Sequence, residues 1–202
     1  MAGGHPWVAA TLDVVMRPVY PVRRFVVPEA RGEVLEVGVG TGLNLPLYDA
    51  AAVRRVVGVE PDPHMLRRAR ARAATVALEV ELHQAGAERL PFEDARFDTA
   101  VLTWVLCTIP DPDAALAEVR RVLRPGGRLL FVEHTRSVQP RLARVQARMT
   151  PLWGRFSGGC RLDRPGVELV ATSGLELVDV VPVGRERWTL VPMYKGEARK
   201  TA

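Results

Sequence analysis

The sequence predicts a single α/β domain whose sheet is mostly parallel and covered by helices on both faces. Three observations lead there. Five short apolar segments alternate with helical patterns between residues 33 and 133. A glycine-rich loop comes directly after the first of them. Two more strand candidates, joined by a turn near Gly184, close the chain as a hairpin-like pair. Apolar strands alternating with helices give parallel strands buried on both sides. The closing pair departs from a plain dinucleotide-binding domain, whose strands all run one way.

Residues 1–30 read as an N-terminal helical cap and residues 31–202 as the domain proper. In the cap, residues 7–16 suit a short amphipathic helix, and Pro18, Pro21 and Pro28 break the chain between that helix and the domain. The strands are expected at 33–38 (EVLEVG), 55–60 (RVVGVE), 78–83 (LEVELH), 98–104 (DTAVLTW) and 128–133 (RLLFVE). Helices are expected at 43–50, 62–74 and 113–123. Arg124-Pro125-Gly126-Gly127 then stops the third helix, since glycine supplies a left-handed turn and proline cannot continue it. Residues 139–152 read as a helix with Leu142, Val145, Met149 and Leu152 on one side and Arg141, Arg144 and Arg148 on another. Residues 151–164 read as irregular, 164–173 as a helix, and 175–183 and 187–198 as the closing strands.

Composition narrows the function classes. The 202 residues are 48% hydrophobic and 25% charged, average values for a globular protein. Two cysteines cannot make a disulfide scaffold. No apolar run reaches the roughly 20 residues of a membrane span, and residues 7–16 lack the basic start and cleavage site of a signal peptide. The expectation is a cytoplasmic protein without an integral membrane segment. The net charge of +5 comes almost wholly from scattered arginines, many at helical spacing beside acids. This reads as compositional bias rather than a nucleic-acid surface.

The strongest chemical signal is Glu36-Val37-Gly38-Val39-Gly40-Thr41-Gly42-Leu43-Asn44. Glycines there let the backbone turn tightly against a ligand. The dinucleotide fingerprint would need glycine at position 43, which is leucine, and a phosphate-binding loop would need Gly-Lys-Ser/Thr, which is absent. Glu60 stands 22 positions after Gly38, at the end of the second strand. An acid there accepts the two hydroxyl hydrogens of a ribose. The ligand is therefore a nucleoside with a free ribose and no phosphate chain, a description that S-adenosyl-L-methionine fits.

The segments EVGVGTGLNLP (36–46), VVGVEPDPHMLRRAR (56–70), AGAERLPFEDARFDTAV (85–101) and EVRRVLRPGGRLLFVEH (118–134) together resemble the class I S-adenosylmethionine-dependent methyltransferases, in the branch similar to ubiquinone and menaquinone methyltransferases. The resemblance implies a Rossmann-like seven-stranded sheet of order 3-2-1-4-5-7-6 with strand 7 antiparallel. It implies that Gly38, Gly40 and Gly42 approach the cofactor, with Glu36, Thr41 and Asn44 in the same loop segment. Glu60 would hold the ribose, Pro61 and Met65 would lie near the adenine, and Ala87 and Glu88 would belong to the adenine loop. Thr103 and Trp104 would face the methionine end. Many relatives carry an acid where Gly86 stands, so a backbone contact is expected there. VLCTIPD (105–111), Glu133-His134 and GGCRL (158–162) resemble a narrower subgroup that includes animal methyltransferases acting on alkyl thiols; GVGTGLNLP also resembles bacterial phospholipid N-methyltransferases.

Methyl transfer from a sulfonium is an in-line displacement in which alignment supplies most of the acceleration. A base is needed only where the acceptor must lose a proton. His134, after the fifth strand at the carboxyl edge of the sheet, is the candidate base; a structural histidine bonded to loop backbone is the equal alternative. His64 reads as an adenine neighbour or surface residue, His83 ends the third strand away from the site, and His5 is terminal. Cys107, Cys160, Trp7 and Trp153 are candidates to line the acceptor pocket, and each also suits simple packing. No metal site is expected, because the two cysteines lie 53 residues apart. The expected reaction is methylation of a small molecule, favouring a thiol, with N-, O- or C-methylation of a lipid, quinone or secondary metabolite as the alternative. A nucleic-acid methyltransferase is disfavoured by the lack of an Asn/Asp-Pro-Pro-aromatic motif, and a non-enzymatic cofactor-binding protein by the intact loop and acid.

Overall fold

The computed structural model describes residues 6–184 and 190–201. His5 and the first three positions of the strand expected at 187–198 lie outside the described residues. One seven-stranded sheet runs in the order β3-β2-β1-β4-β5-β7-β6. Its strands are β1 (Gly32–Val37), β2 (Val53–Val59), β3 (Glu79–His83), β4 (Phe97–Thr103), β5 (Leu123–His134), β6 (Glu176–Val183) and β7 (Met193–Arg199). The first five pair in parallel, and β7 runs antiparallel to both β5 and β6. The order expected from the resemblance is the order observed.

Side-chain alternation builds two cores, one on each face. Leu35, Val37, Val57, Leu102, Leu129 and Phe131 pack on one side, with Leu116 and Val119 from α4 (Pro112–Val122). Val34, Val56, Val101, Leu130 and Val132 pack on the other, with Leu66 of α3 (Pro63–Ala73) and Val26 and Val27 from the N-terminal segment. That segment holds α1 (Pro6–Val15), the short α2 (Tyr20–Arg23) and two 3-10 turns, at Arg17–Val19 and Val27–Glu29. Asp62 caps α3, its carboxylate accepting the His64 and Met65 N–H groups.

Three expectations are corrected. Residues 43–50 form no α-helix; only a 3-10 turn at Leu45–Leu47 is present. Pro46 lacks an N–H to extend it, Tyr48 is extended at φ −67° and ψ 137°, and the Asp49 carboxylate accepts the Ala51 N–H instead. The Arg124–Gly127 stop is real for α4, but the turn is absorbed into β5: Leu123 already pairs with Phe97, and Gly126, at φ +75°, donates its N–H to the Lys200 carbonyl. Finally, α5 (Pro140–Phe156) continues through Pro151 and turns the other way from its periodicity. Val145, Met149 and Leu152 are exposed, and the side packed against the domain holds Gln146, fully buried. Its amide accepts the Ser137 N–H at 2.8 Å and donates to the Thr135 carbonyl at 3.2 Å, satisfying the backbone where it leaves β5. The short α6 (Gly166–Thr172) precedes β6. Among the described residues no helix is long and apolar enough to cross a membrane.

Candidate active site

The carboxyl ends of β1, β2 and β4 open onto one cleft. Gly38, Glu60, Pro61, Gly86, Ala87 and Glu88 line one side, and Val105, Thr108, Ile109 and Pro110 the other. Gly38 sits at φ +67°, and a Cβ there would fall 2.2 Å from Val105 Cγ2. Gly42, at φ +82°, is held for packing: its Cβ would lie 3.2 Å from the Ala69 Cα of α3. Gly40 is also left-handed at φ +56°, but the space beside it is open, with nothing nearer than 3.9 Å.

Glu60 is buried, and the backbone holds both of its oxygens. Oε2 accepts the Gly40 N–H at 3.0 Å and Oε1 the Asp62 N–H at 2.9 Å. Burial pushes its pKa up to about 7, against the pull of those two N–H groups. A carboxylate offers about four acceptor positions, so each oxygen keeps one lone pair for a ligand hydroxyl.

A buried polar network lies below the glycine loop, on the face covered by the N-terminal segment. Glu36 Oε1 accepts from Asn44 Nδ2 at 2.9 Å and Oε2 from the Tyr48 hydroxyl at 2.9 Å. Arg23 Nη1 donates to Asn44 Oδ1 and to the Thr103 hydroxyl, both at 2.7 Å. Its guanidinium lies 4.8 Å above the Trp104 ring, and its Nε is buried without a partner. Burial pushes the Glu36 pKa up to about 7, with Tyr48, Arg23 and Asn44 pulling it back. Trp104 holds a left-handed φ of +53°, a strained value for an aromatic residue just past β4. The structure thus joins Glu36, Asn44, Thr103 and Trp104 and adds Arg23, which sequence reasoning missed. Arg23 sits in a proline-punctuated segment with no motif around it; its burial is a tertiary fact.

Thr41 faces away from the cleft. Its hydroxyl donates to Asp13 of α1 at 2.5 Å, and Asp13 also takes Arg68 and Arg72 of α3, each at 2.9 Å. These bonds fasten α1 across the loop. Leu12 approaches Gly40, and Val8 approaches Gly158 beyond α5. Met65 is half-buried on α3 and stands outside the cleft lining.

Past β4 and β5 lies a second cluster. His134 Nε2 is 3.3 Å from Cys160 Sγ, and the metal-competent atoms of Cys107, His134 and Cys160 all lie within 4.8 Å of one another. The fold cancels the 53-residue separation of the two cysteines. Cys107 and His134 are buried, and Cys160 is half-buried. The Cys107 thiol, then His134 and the Trp153 indole, stabilise a Cys160 thiolate and bring its pKa down to about 5 despite burial. Burial disfavours the His134 imidazolium, yet the Cys160 sulphur and Glu133 outweigh it and raise its pKa. Desolvation lifts Glu133 to about 7, although its Oε1 accepts the Val105 and Leu106 N–H groups. His134 Nδ1 and Glu133 Oε2 are buried without partners. Trp7 and Trp153 are both largely exposed, 45% and 41%, so neither is enclosed in a pocket wall. His64 is half-buried, and His83 bonds Glu81 on β3, away from the cleft.

The family model described as "Methyltransferase domain" matches residues 35–131. The phosphatidylethanolamine N-methyltransferase of Cereibacter sphaeroides is 36% identical over 156 residues, covering 75% of this chain and 74% of that protein. Human thiol S-methyltransferase TMT1B is 36% identical over 134 residues, covering 64% of this chain; the chain spans 54% of its length. Among solved structures, a SAM-dependent methyltransferase of Thermotoga maritima superposes with a TM-score of 0.66 at 27% identity, covering 93% of this chain and 92% of that one. The chain belongs to the class I S-adenosylmethionine-dependent methyltransferases. S-adenosyl-L-methionine is its methyl donor, and small-molecule methylation is its reaction class.

Proposed function

We propose that this methyltransferase acts on a small apolar thiol and that the cleft and the network beneath it hold the cofactor. S-adenosylmethionine supplies a methyl carbon on a sulfonium centre. The residues fit it: the Gly38 cradle is space a Cβ would fill, Glu60 keeps a free lone pair on each oxygen for the ribose, and Arg23 Nε is a buried donor without a partner. In this reading Pro61, Ala87 and Glu88 flank the adenine, with the Gly86 backbone in place of an acid. Arg23, Asn44, Thr103 and Trp104 serve the amino-acid end, with Glu36 orienting Asn44. Gly40 gives the backbone close approach, Gly42 and Thr41 anchor the loop to α3 and α1, and Met65 sits behind.

The observation that carries the thiol is the state of the acids. Glu36 commits both carboxylate oxygens to Asn44 and Tyr48, and Glu133 commits Oε1 to two backbone N–H groups while its unpartnered Oε2 is enclosed in a fully buried side chain, so neither presents an exposed oxygen to deprotonate an alcohol or ammonium. A thiol needs only weak help, with a pKa near ~8.5. Bound S-adenosylmethionine would supply the methyl group to the acceptor sulphur and leave as S-adenosylhomocysteine, the electron pair of the broken carbon–sulfonium bond going with it. The thiol proton passes to the Cys160–His134 pair, which makes His134 part of a proton-holding couple rather than a lone base. Cys107 and Cys160 border the acceptor side, and Trp153 and Trp7 lie at its rim. Similarity to the thiol S-methyltransferase supports this reading.

A second reading has its own support. The more extensively matched relative methylates a phospholipid amine, and Val145, Met149, Leu152 and Phe156 of α5 leave exposed apolar surface that a long-chain acceptor could cover. The test is a matched panel carrying thiol, hydroxyl or amine on one long apolar scaffold, read by S-adenosylhomocysteine formation. Fastest turnover of the thiol supports the first reading; fastest turnover of the amine or hydroxyl replaces it.

A further inference from the structure

We propose that Cys107, His134 and Cys160 form a binding site for one thiophilic divalent cation, zinc by preference, with a coordination position left open toward the acceptor side. The ligand chemistry comes first. Two cysteine sulphurs and one imidazole nitrogen are a set that selects zinc over hard cations. The geometry comes second. All three atoms lie within 4.8 Å of one another. A tetrahedral zinc with Zn–S of about 2.3 Å and Zn–N of about 2.0 Å sets ligand–ligand edges of roughly 3.5–3.8 Å. The cluster therefore closes onto a cation by side-chain shifts of about an ångström or less, within rotamer play.

The scaffold also holds the three residues in place before any cation arrives. Cys107 lies in the loop after β4, and its carbonyl accepts the Arg161 N–H at 3.0 Å, tying it to the loop that carries Cys160. Arg164 reinforces the same junction through the Ile109 carbonyl at 3.0 Å. His134 ends β5 in register with Met193 of β7. Three ligands from three separate elements converge on one buried point. Cys160 is half-buried, so the cluster is not sealed from solvent.

Charge supports the assignment. A dication with two thiolates and a neutral imidazole is neutral overall, so the site without an acceptor carries no net charge into the protein interior. Three protein ligands are one short of zinc's usual four, the arrangement of catalytic rather than closed sites. What fills that position rests on the thiol reading above: an acceptor thiol would bind there as thiolate, its proton released to solvent, and stay nucleophilic near neutral pH. His134 Nε2 would then be a ligand, and proton uptake by the Cys160–His134 pair would apply to the chain without a cation. The metal site itself does not depend on the acceptor.

The experiment is a cobalt(II) titration of the full chain, kept reduced and freed of metal with a chelator. The expected result is one equivalent bound, with the visible bands of tetrahedral cobalt and a near-ultraviolet thiolate-to-cobalt band, all displaced by zinc. Cys160→Ser and His134→Ala should each weaken zinc binding by about 10-fold or more while S-adenosylhomocysteine binding persists, which controls for folding of the buried site. A long-chain alkanethiol should add thiolate-to-cobalt intensity; no change on its addition would overturn the open position. Absence of tetrahedral bands in reduced wild type, or bands unaltered by Cys160→Ser, overturns the site. So does a mass loss of two hydrogens with glutathione disulfide in a chain that takes up no cobalt, since the pair is then a disulfide couple. The spectrum reads the site whether or not any acceptor turns over, so failure of the thiol panel and failure of the metal site are separate results.

Discussion

Arg23 donates to the Thr103 hydroxyl at 2.7 Å, joining α2 to the end of β4 across 80 residues of sequence. The same Nη1 reaches Asn44, and Asn44 in turn reaches Glu36, so one cation and one carboxylate share a buried network. Removing one member of such a network leaves the other charge uncompensated, at about 3–5 kcal/mol. Arg23→Met is therefore expected to destabilise the fold by several kcal/mol and to weaken S-adenosylhomocysteine binding. Adding Glu36→Gln should restore much of the stability but not the affinity. Urea unfolding and calorimetry on both singles and the double variant check this. Additive stability losses would mean that the two residues are independent.

Glu36 also gives a pH dependence. Its folded pKa is pushed up to about 7 by burial, above the ordinary 4.5. Between those values the folded chain binds more protons than the unfolded one, so stability falls as pH rises through that window. Glu60 and Glu133, also raised to about 7, act with the same sign. The melting temperature should decline from pH 5 toward pH 7.5, and Glu36→Gln should make the decline shallower. A slope unchanged in that variant would remove Glu36 from the titrating set.

The glycines of the loop separate by substitution. Gly40→Ala meets open space and is penalised only by its left-handed φ, about 1–2 kcal/mol. Gly38→Ala carries that penalty and also drives a methyl into Val105, 2.2 Å from Cγ2. Val105→Ala should relieve most of the clash in Gly38→Ala, leaving only the tight 3.1 Å approach to the residue-105 Cβ, and leave Gly40→Ala unchanged. Thermal unfolding of the single and double variants checks this. Equal losses in both glycine variants, neither rescued, would contradict the geometry.

The parts of this molecule legible in its sequence are those that local rules set. β1 through β5 announce themselves as apolar runs, and the glycine loop with Glu60 announces a nucleoside, because tight turns and acid spacing are read along the chain. The parts that were not legible depend on distant partners. Residues 43–50 have helical composition, but Tyr48 is drawn into an extended conformation by its bond to Glu36. Arg23 has no local signature and acquires its role only when α2 docks beside Thr103. Cys107 and Cys160 looked unrelated because spacing rules for ligands apply to single hairpins and helices, not to loops brought together by a sheet.

Cys160 should react as a thiolate far into acid. Its pKa is brought down to about 5, chiefly by the Cys107 thiol and also by His134. With chelator present, the pseudo-first-order rate of iodoacetamide labelling should hold its plateau well below the ordinary thiol range, because the lowered pKa keeps Cys160 a thiolate there. Cys107, buried and pushed well above its ordinary range by its bond to Cys160 and by burial, should stay unlabelled in the folded chain. In His134→Ala the midpoint should move upward. Added zinc should protect Cys160. A midpoint near the usual 9 in the wild type would dissolve the thiolate–imidazolium pair.

The orientation of α5 makes the final prediction. Leu152 and Phe156 are each 63% exposed, although their spacing along the helix suggests a core-facing stripe. Gln146, a polar residue, is the one fully buried there, and it satisfies the Ser137 N–H and the Thr135 carbonyl. A hydrophobicity pattern would rank Leu152→Ser as damaging and Gln146→Leu as improving. The hydrogen bonds reverse that order. Leu152→Ser and Phe156→Ser remove side chains already largely in water, so each should shift stability by no more than about 0.5 kcal/mol. Gln146→Leu leaves two buried backbone groups without partners and should cost about 1–3 kcal/mol for each. Thermal unfolding of the three variants decides it. A larger loss for Leu152→Ser than for Gln146→Leu would mean that the apolar stripe of α5 faces the core.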